Sequence, residues 1–476
     1  MNGVVMDGIA DCFSWAENNF ADAQLGDARR TRRLVESAAL IAQHPEKSFT
    51  QIFDWNELRG FYRLCDQEEA NLEGVLQPHW TETRRAMSKQ PLVLIVHDTT
   101  ELDFTTHPKL QGSGTIGNGS GKGFLQHNSL AILPATRQVL GLAYQQLQVR
   151  QAAPQGETNS QRKKRRRESE LWLKGIRGTG PVPEGCCWVD VGDRGCDIYE
   201  AMIAARQQQH QFLFRASQNR RVWLSEDGAS QVYLLDYARS LPSQGNDQVD
   251  IPGRGGRPAR TAEVALAAAP VWVPAPANTP GHRRQPVIAA WVIRIWEPQA
   301  PAEVAEPLEW LLLCSLPSQT LEELKQRRDW YCCRWLVEVY HDIEKNGCSE
   351  EDRRFETAER METCLAVLSV VAVRVFQLRC ALHNQPEEPA EQVATVEEIE
   401  VVRRWTKTKS RRLTVREFVR GVAKLGGFLG RKNDGEPGIR ALWRGYQRMQ
   451  DMLVGFQLQV ASPSKSAAND KDVGNR

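Results

Sequence analysis

The chain has 476 residues, of which 41% are hydrophobic and 25% are charged, and its formal net charge is +2. Because a domain usually has roughly 100–200 residues, this length excludes a single small domain, and the composition excludes wholesale disorder. The net charge excludes a uniformly basic protein, so any nucleic-acid site has to come from local clusters of positive charge.

The N-terminus has no basic stretch leading into an apolar one, so no secretory signal is predicted. The most apolar stretch, 364–378, is interrupted by Arg374 and is too short to cross a bilayer, which predicts a buried helix. The eleven cysteines are scattered without Cys-x-x-Cys spacing, which is typical of a reducing compartment and of a protein without structural zinc. We therefore expect a cytoplasmic protein without a membrane partner.

Residues 1–80 are predicted to form a helical domain. Apolar residues at helical spacing begin at Leu34, and they follow a basic run that includes Arg29, Arg30 and Arg33. Arginines in such a run can bind the phosphates of DNA, although a solvated surface run has the same appearance.

The pattern changes to strands after residue 81. An apolar run from Leu92 predicts a buried strand that ends at His97 and Asp98, which would expose the aspartate. Two strand-like runs, 127–134 and 139–149, then predict an antiparallel hairpin that pairs with the first strand. Helix, strand, helix and strand follow as far as residue 217, so the predicted order is βββαβαβ.

This order is the topology of the ribonuclease-H-like fold, in which acids at neighbouring strand ends gather metal ions. By this analogy of architecture, we predict an α/β protein with a ribonuclease-H-like mixed-sheet catalytic core at 81–219 and 307–382. Short β-type runs, including 232–238, indicate an inserted β-rich subdomain at 220–306.

Two helical regions flank this core in the prediction. The first is the N-terminal domain, and the second is a helical region at 383–460, followed by a disordered tail at 461–476. Two basic segments, 161–167 and 403–412, are either solvated or bind DNA, and the sequence leaves both readings open.

After the strand-like run 309–315, one helix is predicted to continue through Lys345. At 100° per residue, Tyr331, Arg334, Glu338 and Lys345 fall within a sector of about 60° on that helix. Such a face offers an acid for a metal ion, beside two cations and a phenol that can bind phosphate oxygens. An exposed helix stabilised by ion pairs would show the same periodicity.

The spacing of these four residues resembles the Y-R-E-K signature of bacterial insertion-sequence transposases, which have a DDE active site and hairpin-forming, cut-and-paste chemistry. The resemblance includes five further motifs: LGDARRTRRL (25–34), GFYRLC (60–65), HDTT (97–100), GDRGCD (192–197) and KLGGF (424–428). It implies that the catalytic, metal-binding acids are Asp98, Asp193 and Glu338.

Two other acids compete with Asp193 for the second catalytic position. Asp190 would lie off the apolar face formed by Val189 and Val191, while Asp197 lies where the N-cap of a helix is expected. Asp193 is therefore the favoured candidate.

The resemblance also implies the reaction and the partners. The protein would bind inverted-repeat ends of double-stranded DNA, excise the element through a hairpin intermediate, and join its 3′ ends to target DNA. Two Mg²⁺ ions per active site, with Mn²⁺ as a substitute, would be bound by oxygen ligands. A homodimer, formed through 383–460, would pair the two ends in a bacterial cytoplasm, associated with the nucleoid when DNA is bound.

Several further DNA contacts follow from the resemblance. Trp310 would stack on a flipped base, Arg215 would bind phosphate, and the Y-R-E-K side chains would hold the adjoining phosphate. His341, three residues after Glu338, could also contact DNA, although a core role is the ordinary one for such a histidine. A metal-dependent nuclease that does not rejoin DNA, and a DNA-binding regulator that has lost catalysis, remain the alternatives.

Overall fold

The structure is a computed structural model. It describes residues 12–150, 156, 158, 168–251, 259–277, 279, 281–301, 304, 306–384, 386–410, 412–431 and 434–461. The basic loop 161–167 and the tail 462–476 lie outside these residues. The chain divides into a larger compact unit, formed by Ala16–Ile41 and Pro45–Cys380, and a smaller one that contains the residues after Cys380.

The first part of the chain is helical, as predicted. Its helices are α1 (Cys12–Phe20), α2 (Ala28–Gln43), α3 (Phe49–Ile52), α4 (Trp55–Cys65) and α5 (Leu72–Met87). Helix α4 begins at a capping box, because Asp54 accepts from the Glu57 backbone NH and Glu57 accepts from the Asp54 backbone NH, each at 2.8 Å. This reciprocal pair satisfies two donors at the start of the helix.

A mixed sheet of twelve strands, counted over the described residues, forms the centre of the larger unit. The strands are β1 (Leu92–Asp103), β2 (Gly114–Ile116), β3 (Gly121–Leu133), β4 (Gln138–Gln148), β5 (Cys187–Gly192), β6 (Gln211–Arg215), β7 (Arg221–Trp223), β8 (Gln231–Tyr233), β9 (Gly245–Ile251), β10 (Arg260–Val273), β11 (Ile288–Trp296) and β12 (Glu309–Cys314). The order is β2-β3-β1-β5-β6-β12-β11-β10-β7-β8, with β4 paired to β3 and β9 paired to β10.

The remaining helices alternate with these strands or follow them. They are α6 (Ser169–Thr179), α7 (Tyr199–Gln207), α8 (Leu234–Ser240), α9 (Leu321–Cys332), α10 (Trp335–Asp342), α11 (Ala358–Asn384), α12 (Val396–Thr406), α13 (Val415–Leu425) and α14 (Ile439–Ala461). The chain is therefore an α/β protein, as predicted.

The predicted hairpin is present, since β3 pairs antiparallel with both β4 and β1. Strands β5 and β6 are parallel to β1, so the carboxyl ends of β1 and β5 lie at the same edge of the sheet. The prediction that the first strand ends at Asp98 is wrong, because β1 continues to Asp103. Its partner β3 has 13 residues against the 12 of β1, and the antiparallel ladder between them carries β1 past the end of β5.

Segment 220–306 is β-rich, and its strands extend the same sheet because β11 pairs antiparallel with β12. One strand-like run in this segment is not a strand throughout, since β8 ends at Tyr233 and α8 begins at Leu234. Leu234 and Ala238 are both fully buried, four residues apart, which is helical spacing. In a run as short as 232–238, the pattern of apolar residues alone does not distinguish a helix from a strand.

Helices α6 and α7 pack against the middle of the sheet. Trp172 and Ile176 of α6 and Met202 of α7 belong to one buried cluster with Phe212 of β6 and Leu313 of β12. Each large apolar side chain buried in this way contributes roughly 1.5–3 kcal/mol, so this cluster holds the two helices on the sheet.

Helix α11 is the buried apolar helix that the sequence predicts. Its stretch Ala358–Cys380 is long and apolar enough to cross a membrane, but 83% of its most apolar window is buried inside the protein. Gln377 donates to the backbone oxygen of Leu140 at 2.9 Å, which ties the helix to β4. The helix is therefore part of the core.

In the smaller unit, α13 and α14 approach each other so closely that glycine is required. A Cβ atom on Gly426 would lie 1.8 Å from the backbone oxygen of Ala441, and one on Gly445 would lie 1.7 Å from that of Val422. Gly426 belongs to the KLGGF motif, so this motif has a packing role in the contact between the two helices.

The helix predicted to run through Lys345 is interrupted twice. After α9, the Arg334 NH donates to Tyr331 O at 3.0 Å and the Val337 NH donates to Arg334 O at 3.2 Å. Both hydrogen bonds join residues three apart, so the backbone here turns more tightly than an α-helix does. After α10, Ile343–Gly347 widens into a π-helical turn. The prediction of one continuous helix is therefore wrong, and the uniform 100° spacing does not apply between Tyr331 and Lys345.

Candidate active site

The strand register brings two of the predicted catalytic acids to the same edge of the sheet. The parallel pairing of β1 with β5 ends at His97 and Gly192, and the next residues are Asp98 and Asp193. Asp98 stays in β1, opposite Asn128 of β3. Asp193 leaves the sheet, and its carboxylate accepts from the Gly195 NH at 2.7 Å in a tight turn.

Asp190, a competing acid, has structural partners instead. It is fully buried, and its oxygens bind His97 Nε2 and His210 Nδ1, each at 2.9 Å. Burial alone would raise the pKa of Asp190, but the charge and hydrogen bond of His210 and the hydrogen bond from His97 outweigh it, so the pKa is lowered. Asp190, in β5, thus binds a residue of β1 and the residue that precedes β6, below the site.

Asp197, the other competitor, is also engaged. Its carboxylate accepts from the backbone NH groups of Ser217 and Gln218 at 2.7 Å and 2.9 Å and pairs with Arg220 at 2.5 Å. The sequence predicted Asp197 as the N-cap of α7. This prediction is wrong, because Ile198 holds that position. Of the three acids, Asp193 alone is partly exposed.

Glu338 reaches the same edge from α10. Arg334 lies between the two acids, with its Nη1 3.3 Å from Asp98 Oδ2 and 3.5 Å from Glu338 Oε1. Carboxylate oxygens of Asp98 and Glu338 and a ring nitrogen of His341 all lie within 4.8 Å of one another. This group of potential metal ligands does not include Asp193.

The acids repel one another, as expected for a site that binds a cation. Burial raises the pKa of Asp98 to about 7, and the nearby charges of Asp193 and Glu338 add to this effect while Arg334 opposes it. A divalent cation would relieve this repulsion, and carboxylate oxygens are the ligands that Mg²⁺ and Mn²⁺ prefer. The side chains present therefore fit a divalent metal ion.

His341 is buried and faces the interior rather than the surface. Its Nε2 accepts a hydrogen bond from the Asn128 side-chain amide at 3.0 Å. Burial, together with the positive charges of Lys345 and Arg334, lowers the pKa of His341 to about 3, so the ring is neutral. Sequence reasoning missed Asn128; its place opposite Asp98 depends on strand register.

Three of the predicted DNA-contact residues form a second group. The rings of Trp310 and Tyr331 meet edge to face, with centroids 5.1 Å apart. Tyr331 is buried, which raises the pKa of its phenol, while the charge and hydrogen bond of Arg215 oppose this shift. Arg215 also donates to the backbone oxygen of Glu309 at 3.3 Å.

Lys345 lies in the π-helical turn and is held within the protein. Its Nζ donates to the backbone oxygen of Glu101 at 2.5 Å and lies 3.6 Å from Glu351 Oε1. The side chain remains partly exposed. Binding of a phosphate by Lys345 would compete with these two contacts.

The arginines of the N-terminal helices differ in how strongly they are held. Arg29 pairs with Asp27 at 2.8 Å but is largely exposed, while Arg30 binds Glu69 at 3.0 Å. Arg33 packs against Gly60, where a Cβ atom would come within 2.9 Å of its Nε. This contact between Arg33 and Gly60 therefore packs the LGDARRTRRL motif against the GFYRLC motif.

Two parts of the chain match known protein families. Residues 13–70 match a transposase DNA-binding family, and residues 370–464 match the transposase Tn5 dimerisation domain. These matches support a Tn5-like DNA transposase, an enzyme that acts on DNA and forms a homodimer. The first match lies within the predicted DNA-binding domain 1–80, and the second covers the predicted dimerisation region 383–460.

Proposed function

We propose that this Tn5-like chain is a cut-and-paste transposase with a ribonuclease-H-like core, in which Asp98, Asp193 and Glu338 hold two Mg²⁺ ions. The observation that carries the proposal is the meeting of Asp98 and Glu338, 240 residues apart, around the Arg334 guanidinium. The strand order β4-β3-β1-β5-β6, with β5 and β6 parallel to β1, supports the ribonuclease-H-like core.

Bound metal ions would supply Lewis acidity for in-line attack at phosphorus by water or by a 3′ hydroxyl. The chain positions the acids through its own scaffold. β1 and α10 bring Asp98 and Glu338 together, and the turn after β5 brings in Asp193. Arg334, held beside both acids, is suited to bind a phosphate oxygen of the DNA strand when metal ions occupy the carboxylates.

A hairpin intermediate requires a sharply bent DNA strand. Trp310 is the candidate for stacking on a flipped base, and it is braced by Tyr331, which Arg215 in turn hydrogen-bonds. Arg215 and Arg334 supply positive charge beside Tyr331, and Lys345 supplies it beside His341, for the adjoining phosphates. This group of side chains favours hairpin formation over simple nicking.

The test is cleavage of linear DNA that carries the element's own ends, in the presence of Mg²⁺, resolved on a denaturing gel. The wild type is expected to give hairpinned ends, and Glu338→Gln is expected to give neither nicks nor hairpins. Glu322→Gln is the matched control, because Glu322 is an exposed carboxylate on the preceding helix α9. Its products should equal those of the wild type.

Other outcomes favour the alternatives. Nicked DNA without hairpins would indicate a nuclease, and the role of Trp310 would then be withdrawn. If the wild type and Glu338→Gln both shift the DNA in a gel and neither cuts it, a regulator that has lost catalysis is the better description.

A further inference from the structure

Glu338 and His341 form a Glu-x-x-His pair on helix α10. Residues three apart lie on the same helix face, and helices with this spacing provide carboxylate and imidazole ligands to dimetal sites in other folds. Here a ring nitrogen of His341 lies within 4.8 Å of carboxylate oxygens of both Glu338 and Asp98. Within the part of the chain that the structure describes, no other group of three such side chains is this close.

The imidazole is held in place by a chain of buried amides. Asn128 donates to His341 Nε2 at 3.0 Å and accepts from the Gln145 amide at 2.7 Å. Gln145 in turn donates to Ser369 Oγ at 2.9 Å. A histidine that binds a metal ion through one ring nitrogen carries a proton on the other and donates it to a fixed acceptor. Half-turns of the Asn128 and Gln145 amides would make Asn128 Oδ1 the acceptor for His341 Nε2, and would give Gln145 Oε1, which has no hydrogen-bond partner, the Asn128 amide as its donor. In that arrangement His341 Nδ1 keeps its lone pair for the metal ion.

Three other buried histidines in the larger unit have different surroundings. His97 and His210 bind Asp190, and His127 Nδ1 lies 2.8 Å from Thr99 Oγ1. None of these three joins a close group of carboxylates. His341 is therefore distinguished by its neighbours and not by burial alone.

We propose that His341 is a nitrogen ligand of the divalent metal ion that Asp98 and Glu338 bind. The proposal rests on the metal-dependent function proposed above and adds a ligand to its three acids. An imidazole ligand favours Mn²⁺ over Mg²⁺, since Mg²⁺ strongly prefers oxygen ligands. The site should therefore bind Mn²⁺ more tightly with the imidazole than it would with its three carboxylates alone.

Electron spin-echo spectroscopy of the full-length protein with Mn²⁺ tests this directly, because it detects nitrogen bonded to the metal. The wild type is expected to show ¹⁴N coupling, which should change to the ¹⁵N pattern when histidine is labelled with ¹⁵N. His341→Gln should abolish the coupling and weaken Mn²⁺ binding by at least about tenfold, with a smaller effect on Mg²⁺. His282→Gln, in a short 3₁₀ helix without buried residues, is the control.

The outcomes separate this inference from the function on which it rests. If Mn²⁺ binds the wild type, is lost in Glu338→Gln and shows no nitrogen coupling, His341 is not a ligand and the three-acid site stands. If the wild type binds no Mn²⁺, the proposed metal site fails and this inference with it. The labelling experiment needs no substitution, so it tests for a histidine ligand even if His341→Gln does not fold. Among the described residues, His341 is the histidine grouped with both acids, so a positive result is assigned to it.

Discussion

Asp190 Oδ1 lies 2.9 Å from His97 Nε2, and both side chains are fully buried. His97 and Gly192 form the last parallel pair between β1 and β5, immediately before Asp98 and Asp193. The Asp190–His97 contact therefore joins β1 and β5 just below the point where their pairing ends and the two candidate catalytic acids follow. A change in strand register would separate those acids, so this contact positions the site.

Asp190→Asn is expected to lower the free energy of unfolding by about 3 kcal/mol, because it removes the buried carboxylate that binds both histidines and whose charge, against the effect of burial, raises the pKa of His210. Urea unfolding followed by circular dichroism measures the change. Asp193→Asn is the comparison; it should change stability by less than about 1 kcal/mol, because Asp193 is partly exposed, yet abolish DNA cleavage. The opposite pattern would make Asp190 the catalytic acid.

The sequence predicts the α/β class, the hairpin on β1 and the preference for Asp193, because each depends on local pattern or on motif. It does not predict the breaks around α10, since Cys333, Arg334 and Trp335 are all compatible with a continuous helix. It also does not reveal Asn128 beside His341, because contacts between residues more than 200 positions apart depend on packing. The local sequence pattern therefore predicts which segments form helices and strands, whereas tertiary contacts determine which of their side chains come together.

Two buried glutamates should make the stability of the protein fall as the pH rises. Glu344 and Glu350 are fully buried, and neither oxygen of Glu350 has a hydrogen-bond partner. Burial, and then the charge of Glu344, raises the pKa of Glu350 well above its ordinary value of 4.5. The native state therefore keeps a proton that the unfolded chain releases, and stability should fall as the pH rises above about 4.5.

Glu350→Gln should remove part of this fall, because glutamine stays neutral at every pH. We expect the variant to be more stable than the wild type by about 1–2 kcal/mol at pH 8 and nearly equal to it at pH 4. Denaturant unfolding at a series of pH values measures both. Glu356→Gln, an exposed carboxylate, should leave the curve unchanged. A parallel shift at all pH values would contradict the proposed protonation.

Arg334 is predicted to compete with the metal ion for Asp98 and Glu338. At pH 8.5, which is above the pKa of about 7 for Asp98, Arg334→Gln should bind Mn²⁺ about three- to tenfold more tightly, because a positive charge 3.3 Å from Asp98 is removed. DNA cleavage should nevertheless fall, since the side chain suited to bind phosphate is lost. Calorimetric titration and the hairpin assay measure the two effects.

Arg206→Gln is the matched control for Arg334, because it removes one positive charge from the exposed surface of α7. It should change neither Mn²⁺ affinity nor cleavage. Weaker Mn²⁺ binding in Arg334→Gln would show that Arg334 holds the acids in position instead of competing with the ion.

Trp55 is predicted to contact DNA. It begins helix α4 within the stretch that matches a transposase DNA-binding family, and 70% of its surface is exposed. Its ring lies 5.9 Å from the guanidinium of Arg59, which adds positive charge beside the exposed indole. An aromatic surface of this size is unfavourable in water and gains by contact with DNA.

Trp55→Ala should weaken binding of the DNA ends by about 5- to 30-fold, which corresponds to about 1–2 kcal/mol. The free energy of unfolding should stay within about 0.5 kcal/mol, because so little of the side chain is buried. Fluorescence anisotropy with labelled DNA measures the affinity. Tyr233→Ala, which removes another exposed aromatic outside the matched stretch, should bind as the wild type does. Equal affinities for both variants would remove Trp55 from the DNA interface.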